Sequence, residues 1–332
     1  MLKTAIVGCG GIAHSHAECI KTLECAQLIA FTDIKLERAE AFAQEFGGKV
    51  YDSIDNLLCS EKFDVLHICT PHCLHVPMAV MAHAKNINIF MEKPPAVTLS
   101  DIRILKKLSK SPKIGVCFQN RYIGSVQHLK QMLDQNVYGA VKGARAFVTW
   151  NREAPYYTES GWRGTWEHEG GGVLVNQSIH TLDLLVYLLG EPMYVDASCA
   201  NHHLKGIIQV EDTVEAYINF NGCITLFYAT TSFCTDSPVF IEFFCEAGRI
   251  RMEGNTVTEY PADKNPITTD YPMKYLGKEY WGAGHLLCIQ DFYRCIQNGE
   301  KFPIEIDDIS CTVELMLGIY ESAATRQTIK FL

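Results

Sequence analysis

A chain of 332 residues with 48% hydrophobic content has room for two cored domains at the usual ~100–200 residues each. Lys and Arg number 29 against 38 Asp and Glu, and the net charge of −9 argues against nucleic acid or an anionic membrane surface as the main partner. No apolar run approaches the ~20 residues of a membrane span, and Met1-Leu2-Lys3-Thr4 leads straight into a strand without a signal-peptide core, so a cytoplasmic location is expected.

Lys3 to Val7 reads as a short apolar strand, followed by Gly8-Cys9-Gly10-Gly11-Ile12-Ala13 and a helical pattern through Cys19, Ile20 and Leu23. This is G-x-G-x-x-A between a strand and a helix, the context in which the motif holds a dinucleotide. Gly8 permits the tight turn, Gly10 lets a pyrophosphate approach the backbone, and Ala13 allows close packing of helix on strand. The next strand, Leu28 to Thr32, ends at Asp33. A carboxylate there accepts from an adenosine ribose and repels a 2′-phosphate, which favours NAD. Lys35, two residues on, softens that preference and leaves NADP possible.

Strand and helix then alternate: Asp64 to Cys69 with Leu74 to Ala84, Ile87 to Met91 with Leu99 to Leu108, and Ile114 to Gln119. Such alternation implies a parallel sheet with helices on both faces and ligands at the carboxyl ends of its strands. Those ends carry Asp33, Thr70-Pro71-His72, Glu92-Lys93 and Gln119-Asn120-Arg121. In Glu92-Lys93-Pro94-Pro95 the prolines stop the strand and keep Lys93 out of helical geometry. The Lys93–Pro94 bond is a candidate for the cis form, which only ~5–6% of X–Pro bonds take. Cys69-Thr70-Pro71-His72-Cys73-Leu74-His75 puts four ligand types in seven residues, yet Cys69 ends an apolar strand and no second pair matches, so no metal is expected. The 14 cysteines read as free buried thiols of a reducing compartment.

A second domain is expected from Tyr122, giving 1–121 and 122–332. Its helix, Ser125 to Gln135, and a strand, Val141 to Trp150, precede a long loop, Asn151 to Glu169, holding Tyr156-Tyr157, Trp162, Arg163 and Trp166. Long loops in compact domains are usually functional or disordered. Gly170-Gly171-Gly172 opens a predicted helix to Leu189 with Asn176, His180 and Asp183 on one face. A polar stripe on so apolar a helix should line a cavity or find internal partners. Six strands between Met193 and Tyr260, with Asn221-Gly222 as a hairpin turn, make a largely antiparallel sheet whose open face suits a second subunit. Helices His285 to Asn298 and Ile309 to Thr325, the latter capped by Asp307 or Asp308, end the chain.

Gly8 to Ala13, Thr70-Pro71 with His75, Glu92-Lys93-Pro94, and the three glycines followed by Asn176, His180 and Asp183 together resemble the Gfo/Idh/MocA oxidoreductases over nearly the whole chain. The fold class expected is α/β: an N-terminal Rossmann doubly wound parallel sheet plus a C-terminal α+β domain with an open, largely antiparallel sheet. The resemblance implies hydride exchange between NAD(P) and a secondary hydroxyl of a sugar, sugar derivative or cyclitol. It implies that Gly8, Gly10, Gly11, Ile12, Ala13, Asp33, Thr70, His72, His75, Glu92, Lys93 and Gln119 surround the cofactor. Lys93 and His180 become the catalytic pair, with Asn176 beside them, and Arg121, Tyr122, Trp162, Arg163 and Asp183 are expected at the substrate. Many members carry Asp where this chain has Asn176; an amide orients but cannot carry charge. A homodimer or homotetramer is expected. Two other readings stand: a non-catalytic NAD(P)-binding sensor or scaffold, and a sugar–sugar oxidoreductase that recycles a tightly held cofactor.

Overall fold

A computed structural model of the chain describes residues 1–108, 111–272 and 284–331. Its elements run β1 (Leu2–Val7), α1 (Gly11–Lys21), β2 (Ala26–Thr32), α2 (Leu36–Phe46), β3 (Lys49–Tyr51), α3 (Ile54–Ser60), β4 (Val65–Ile68), α4 (His75–Ala84), β5 (Asn88–Met91), α5 (Leu99–Lys107) and β6 (Ile114–Val116). They continue α6 (Gly124–Asp134), β7 (Val141–Thr149), α7 (Ala154–Thr158), α8 (Ile179–Leu189), β8 (Tyr194–Ala200), β9 (Thr213–Phe220), β10 (Cys223–Thr230), β11 (Phe240–Cys245), β12 (Gly248–Glu253), β13 (Thr256–Pro261), β14 (Ile267–Asp270), α9 (His285–Asn298), α10 (Ile306–Thr325) and β15 (Ile329–Lys330).

The chain forms two units, and neither is a continuous stretch. The first joins residues 1–119 to 284–310, and the second joins 120–272 to 311–331. The first unit thus takes in α9 from late in the chain. That return has a packing cause. Phe292 of α9 lies against Gly115, where an added Cβ would come within 2.7 Å of its ring. Val116 N also donates to Ile304 O at 3.0 Å, which covers the outer edge of β6.

The first unit is a six-stranded sheet in the order β3-β2-β1-β4-β5-β6, parallel at every pairing. Strands β1, β4 and β5 are nearly or wholly buried, as sheets covered on both faces require. Succession runs outward from β1 to β3 and then resumes on the other side with β4, so the order reverses between β1 and β4. Ligands bind outside the carboxyl ends at such a reversal. Ala13, fully buried, lets α1 lie close to the sheet, and α9 packs on α1.

The second unit is a nine-stranded sheet in the order β14-β13-β12-β11-β7-β10-β9-β8-β15, antiparallel except where β7 meets β10. In β7, buried Ala144, Ala146 and Val148 alternate with half-buried Arg145, Phe147 and Thr149, so one face is core and the other is more open. Beyond the short β15, α10 meets the edge of β8, where Ala197 N donates to Ser322 Oγ at 3.0 Å. Asp307 and Asp308 fall inside the first turn of α10 instead of preceding it, where their charge still suits the helix dipole.

The predicted helix from Gly170 is corrected: α8 begins only at Ile179. Gly170 (φ 82°) and Gly171 (φ 154°) take backbone that L side chains rarely adopt. The N–H groups of Gly172 and Leu174 are spent on the Glu211 carboxylate, each at 3.0 Å. Asn176 thus lies in a turn before the helix, while His180 and Asp183 lie within it.

Candidate active site

At the reversal between β1 and β4, Gly8 has φ 84°, and a Cβ there would come within 2.7 Å of Cys69 O. Only glycine makes that turn at this separation. Gly10 precedes α1 with no side-chain cap and open space around it, and the first turn of α1 holds no acid. Uncapped N–H groups at a helix start, with no competing carboxylate, suit a phosphate. Asp33, half-buried at the end of β2, accepts from Cys9 N at 2.7 Å and from Lys35 N at 2.8 Å. Its carboxylate is thereby fixed beside the glycine turn. These residues fit a dinucleotide: Gly8, Gly10, Gly11, Ile12 and Ala13 would take the pyrophosphate and Asp33 the adenosine ribose.

The ends of β4 and β5 carry the other predicted groups. Thr70 and Lys93 are half-buried, while His72, Gln119 and Glu92 are buried. The Lys93–Pro94 bond is cis. His75 presents Nδ1 to Pro94 O at 2.8 Å and Nε2 to Thr70 O at 2.9 Å, so it ties the two strand-end turns together. Burial lowers its pKa despite the two carbonyls.

Glu92 is buried and bonded within the first unit. It accepts from His16 Nε2 at 2.9 Å; His16 Nδ1 lies 2.9 Å from His67 Nδ1, and His67 Nε2 lies 3.0 Å from Tyr293 Oη. Tyr293 Oη in turn lies 2.7 Å from Thr4 Oγ1. Burial, the largest single influence, would raise the Glu92 pKa, but the His16 bond together with the charges of His16, His285 and Lys93 outweighs it and holds the carboxyl below its ordinary range. For His67, burial first and then His16 push the ring well below its ordinary value, so it is neutral. Sequence reasoning missed His16, which has a detectable signal: it sits on the inward face of α1, three residues after Ala13.

In the second unit, Arg121 and Asp183 are brought together. Arg121 Nε donates to Asp183 Oδ2 at 2.8 Å and Nη2 to Oδ1 at 2.6 Å, and Thr312 Oγ1 donates to Asp183 Oδ1 at 2.9 Å. Both partners are buried, and Arg121 stacks 4.9 Å from the Tyr187 ring. A buried bidentate pair of this kind anchors α8.

The predicted loop residues form a second cluster. Arg163 stacks on Tyr156 at 4.4 Å and on Trp162 at 5.0 Å. Its Nε is buried without a hydrogen-bond partner. Tyr156 Oη lies 3.1 Å from Gln177 Nε2 and 3.5 Å from Asn176 Nδ2. Asn176 Nδ2 also donates to Glu169 Oε1 at 2.6 Å, and Gly164 N donates to Glu169 Oε2 at 2.5 Å. Glu169 is fully buried, and burial pushes its pKa up to about 7 against the bonds from Gly164 and Asn176 and the charge of Arg163. Glu211 is pushed up to about 7 as well, again by burial, although Leu174 N, Gly172 N and Tyr320 Oη all donate to it. Neither acid was singled out as a site residue in the sequence. Glu169 had one signal, an acid directly before three glycines.

A six-stranded parallel sheet with a glycine turn at its reversal and a fixed carboxylate at the next strand end is a dinucleotide-binding domain, here joined to a second α+β unit. Residues 2–119 match the family described as "Oxidoreductase family, NAD-binding Rossmann fold" (GFO_IDH_MocA), and residues 126–251 match the GFO/IDH/MocA C-terminal domain. The chain belongs to the GFO/IDH/MocA oxidoreductases, and its first unit is an NAD-binding Rossmann domain. It is 30% identical over 191 residues to glucose-6-phosphate 3-dehydrogenase of Bacillus subtilis, which covers 57% of this chain and 54% of that protein. It is 32% identical over 200 residues to D-glucoside 3-dehydrogenase of Escherichia coli, 58% of this chain and 55% of that one. The match thus spans about half the length of these relatives. The WlbA dehydrogenase of Chromobacterium violaceum, solved with NADH and UDP-GlcNAcA, superposes with TM-score 0.88 at 26% identity, over 100% of this chain and 96% of that one. Among the described residues, no helix is long and apolar enough to cross a membrane.

Proposed function

We propose that the protein is an NAD-dependent dehydrogenase of a secondary hydroxyl on a sugar or sugar derivative. The observation that carries this reading is Lys93 at the carboxyl end of β5, in the same strand-end edge as the glycine turn, Thr70 and Asp33. When bound, NAD supplies the hydride acceptor. His180 takes the hydroxyl proton, and Lys93 donates a hydrogen bond to the same oxygen and stabilises the negative charge that develops there. Asn176 orients the reacting group.

Arg163 and its aromatic neighbours support an acidic or phosphorylated sugar. Tyr156 and Trp162 offer faces for a ring, and the buried Nε of Arg163 lacks an acceptor that a carboxylate or phosphate would provide. Position 3 of a hexose is the first to test, since two relatives are named for it. A reducing, cytoplasmic setting agrees with buried thiols such as Cys9, Cys69 and Cys117. A second copy of the chain, giving a homodimer or homotetramer, is proposed to cover the open face of the nine-stranded sheet, where Phe147 stacks on Phe240 and Leu226 is 52% exposed.

The test is a panel of neutral, uronic, phosphorylated and nucleotide-linked sugars with NAD and NADP in parallel, read by nicotinamide absorbance. Turnover with at least one of them is expected, and Lys93→Ala should lower kcat by about 10²–10⁴-fold in a folded protein. Wild-type kinetics in that variant, or no turnover across the panel with NAD demonstrably bound, would overturn the reading and favour a cofactor-binding sensor.

A further inference from the structure

The buried polar cluster of the second unit contains a carboxylate with no assigned task. Glu169 is fully buried, and its oxygens accept from the side-chain amide of Asn176 at 2.6 Å and the backbone of Gly164 at 2.5 Å. We propose that Glu169 is a positioning residue that sets the orientation of the Asn176 amide, holding Nδ2 inward and turning Oδ1 outward as an acceptor. The inference rests on the reading of Asn176 as a member of the reacting site.

An ionised carboxylate only accepts, so the group 2.6 Å from Oε1 has to be the NH₂ end of the amide. A protonated carboxyl also donates, and then the reversed amide, with Oδ1 against Glu169, is satisfied equally well. Gaining one proton on Glu169 therefore removes the discrimination between the two orientations and exchanges an acceptor for a donor at the outward end of Asn176. An outward acceptor stabilises an imidazolium or a hydroxyl proton, whereas an outward NH₂ opposes both. The charged and titratable groups facing Glu169 are Arg163, which favours its anion, and Glu211, which opposes it. Tyr156, Tyr157 and Tyr320 also feel its charge, and Arg152 stacks 5.6 Å from Tyr156. Burial places the Glu169 transition at about 7, so the proton is exchanged near neutrality.

Two measurements test this independently of each other. In the ¹H–¹⁵N spectrum of the whole protein, the side-chain amide signals of Asn176, assigned by loss in Asn176→Asp, should titrate with one midpoint near 7 over about pH 5.5–8.5. The same signals should be flat in Glu169→Gln, whose carboxamide still accepts from Gly164 N. Flat signals in the wild type, or an unchanged titration in Glu169→Gln, overturn the proposal whether or not the protein turns over a sugar. In kinetics, Glu169→Gln should lose about tenfold in kcat above neutrality, with both KM values within about twofold, and should lose the corresponding limb of the pH profile. Adding Asn176→Asp, which brings its own acceptor-only carboxylate, should restore most of kcat. A fully active Glu169→Gln with the wild-type pH profile, or no recovery in the double variant, would refute the positioning role. Loss of turnover in Lys93→Ala alongside either result keeps the proposed function separate from this inference.

Discussion

At Asp33, two backbone N–H groups hold one half-buried carboxylate at the end of β2, and if that carboxylate takes the ribose as proposed, cofactor choice rests on a single side chain. A 2′-phosphate placed there would meet a fixed like charge, and even at a surface-like effective dielectric such a contact costs several kcal/mol at about 4 Å. Lys35 contributes its backbone N–H to the acid, so its position two residues on reinforces the carboxylate at the same time as its ammonium softens the field. Asp33→Ser is expected to move the NAD-to-NADP ratio of kcat/KM by about tenfold or more toward NADP. Parallel kinetics with both cofactors check this, and an unchanged ratio would remove Asp33 from the ribose site. The strand-end positions of Lys93 and Asp33 were legible in the sequence because apolar runs stop just before them. Glu169 was not: an acid before glycines reads equally well as a solvated turn, and only the folded loop shows it buried against Asn176.

The segment from Gly170 to Ser178 is the element where periodicity misled. Apolar residues at helical spacing extend back from α8, but Gly172 N and Leu174 N turn to the Glu211 carboxylate, and a Cβ at Gly172 would collide with the Glu211 carbonyl. The glycines serve close approach of the chain's own backbone, so the segment wraps an acid instead of continuing the helix. Strand β3, with three residues, was too short to show alternation, whereas β7 and β10 were readable from theirs. The wrapped acid has a thermodynamic consequence. Glu211 and Glu169 are each raised to about 7 from an ordinary 4.5. A raised carboxyl contributes stability that is fully present below the unfolded pKa and is lost as pH rises through the folded one. The two acids should therefore lower Tm between about pH 5 and 8, against the opposite contribution of buried His67 and His75 below their ordinary 6.5, and Glu211→Gln should remove roughly half of the acids' share. Thermal scans of the wild type and the variant across this window decide it; a Tm difference between the two that does not change with pH would show Glu211 to be a stable anion in the fold.

For the whole molecule, the open face of the nine-stranded sheet is the surface that a solution measurement can judge. Its fully buried Glu242 is bonded by Arg145 and Arg251 and lies 3.3 Å from Arg249, with Phe240 under two of those guanidinium groups. Phe244 and Leu226 stand exposed on the same side. Leu226→Arg combined with Phe244→Arg should convert the oligomer to monomer by light scattering at unchanged far-UV dichroism. A wild-type monomer would remove the proposed oligomer, and an oligomer indifferent to both changes would move its interface elsewhere. The chain of hydrogen bonds from Glu92 through His16, His67 and Tyr293 to Thr4 reaches across the first unit using a residue made late. As the polypeptide leaves the ribosome, β1 to β6 emerge long before Tyr293 and Phe292 arrive, so His67 and the surface at Gly115 wait uncovered through most of translation. The nucleotide unit is therefore completed post hoc, by its own tail. Anyone exchanging cofactor modules between relatives must transplant α9 along with the first 119 residues, or the graft will expose Phe90, Gly115 and His67 where its core should close.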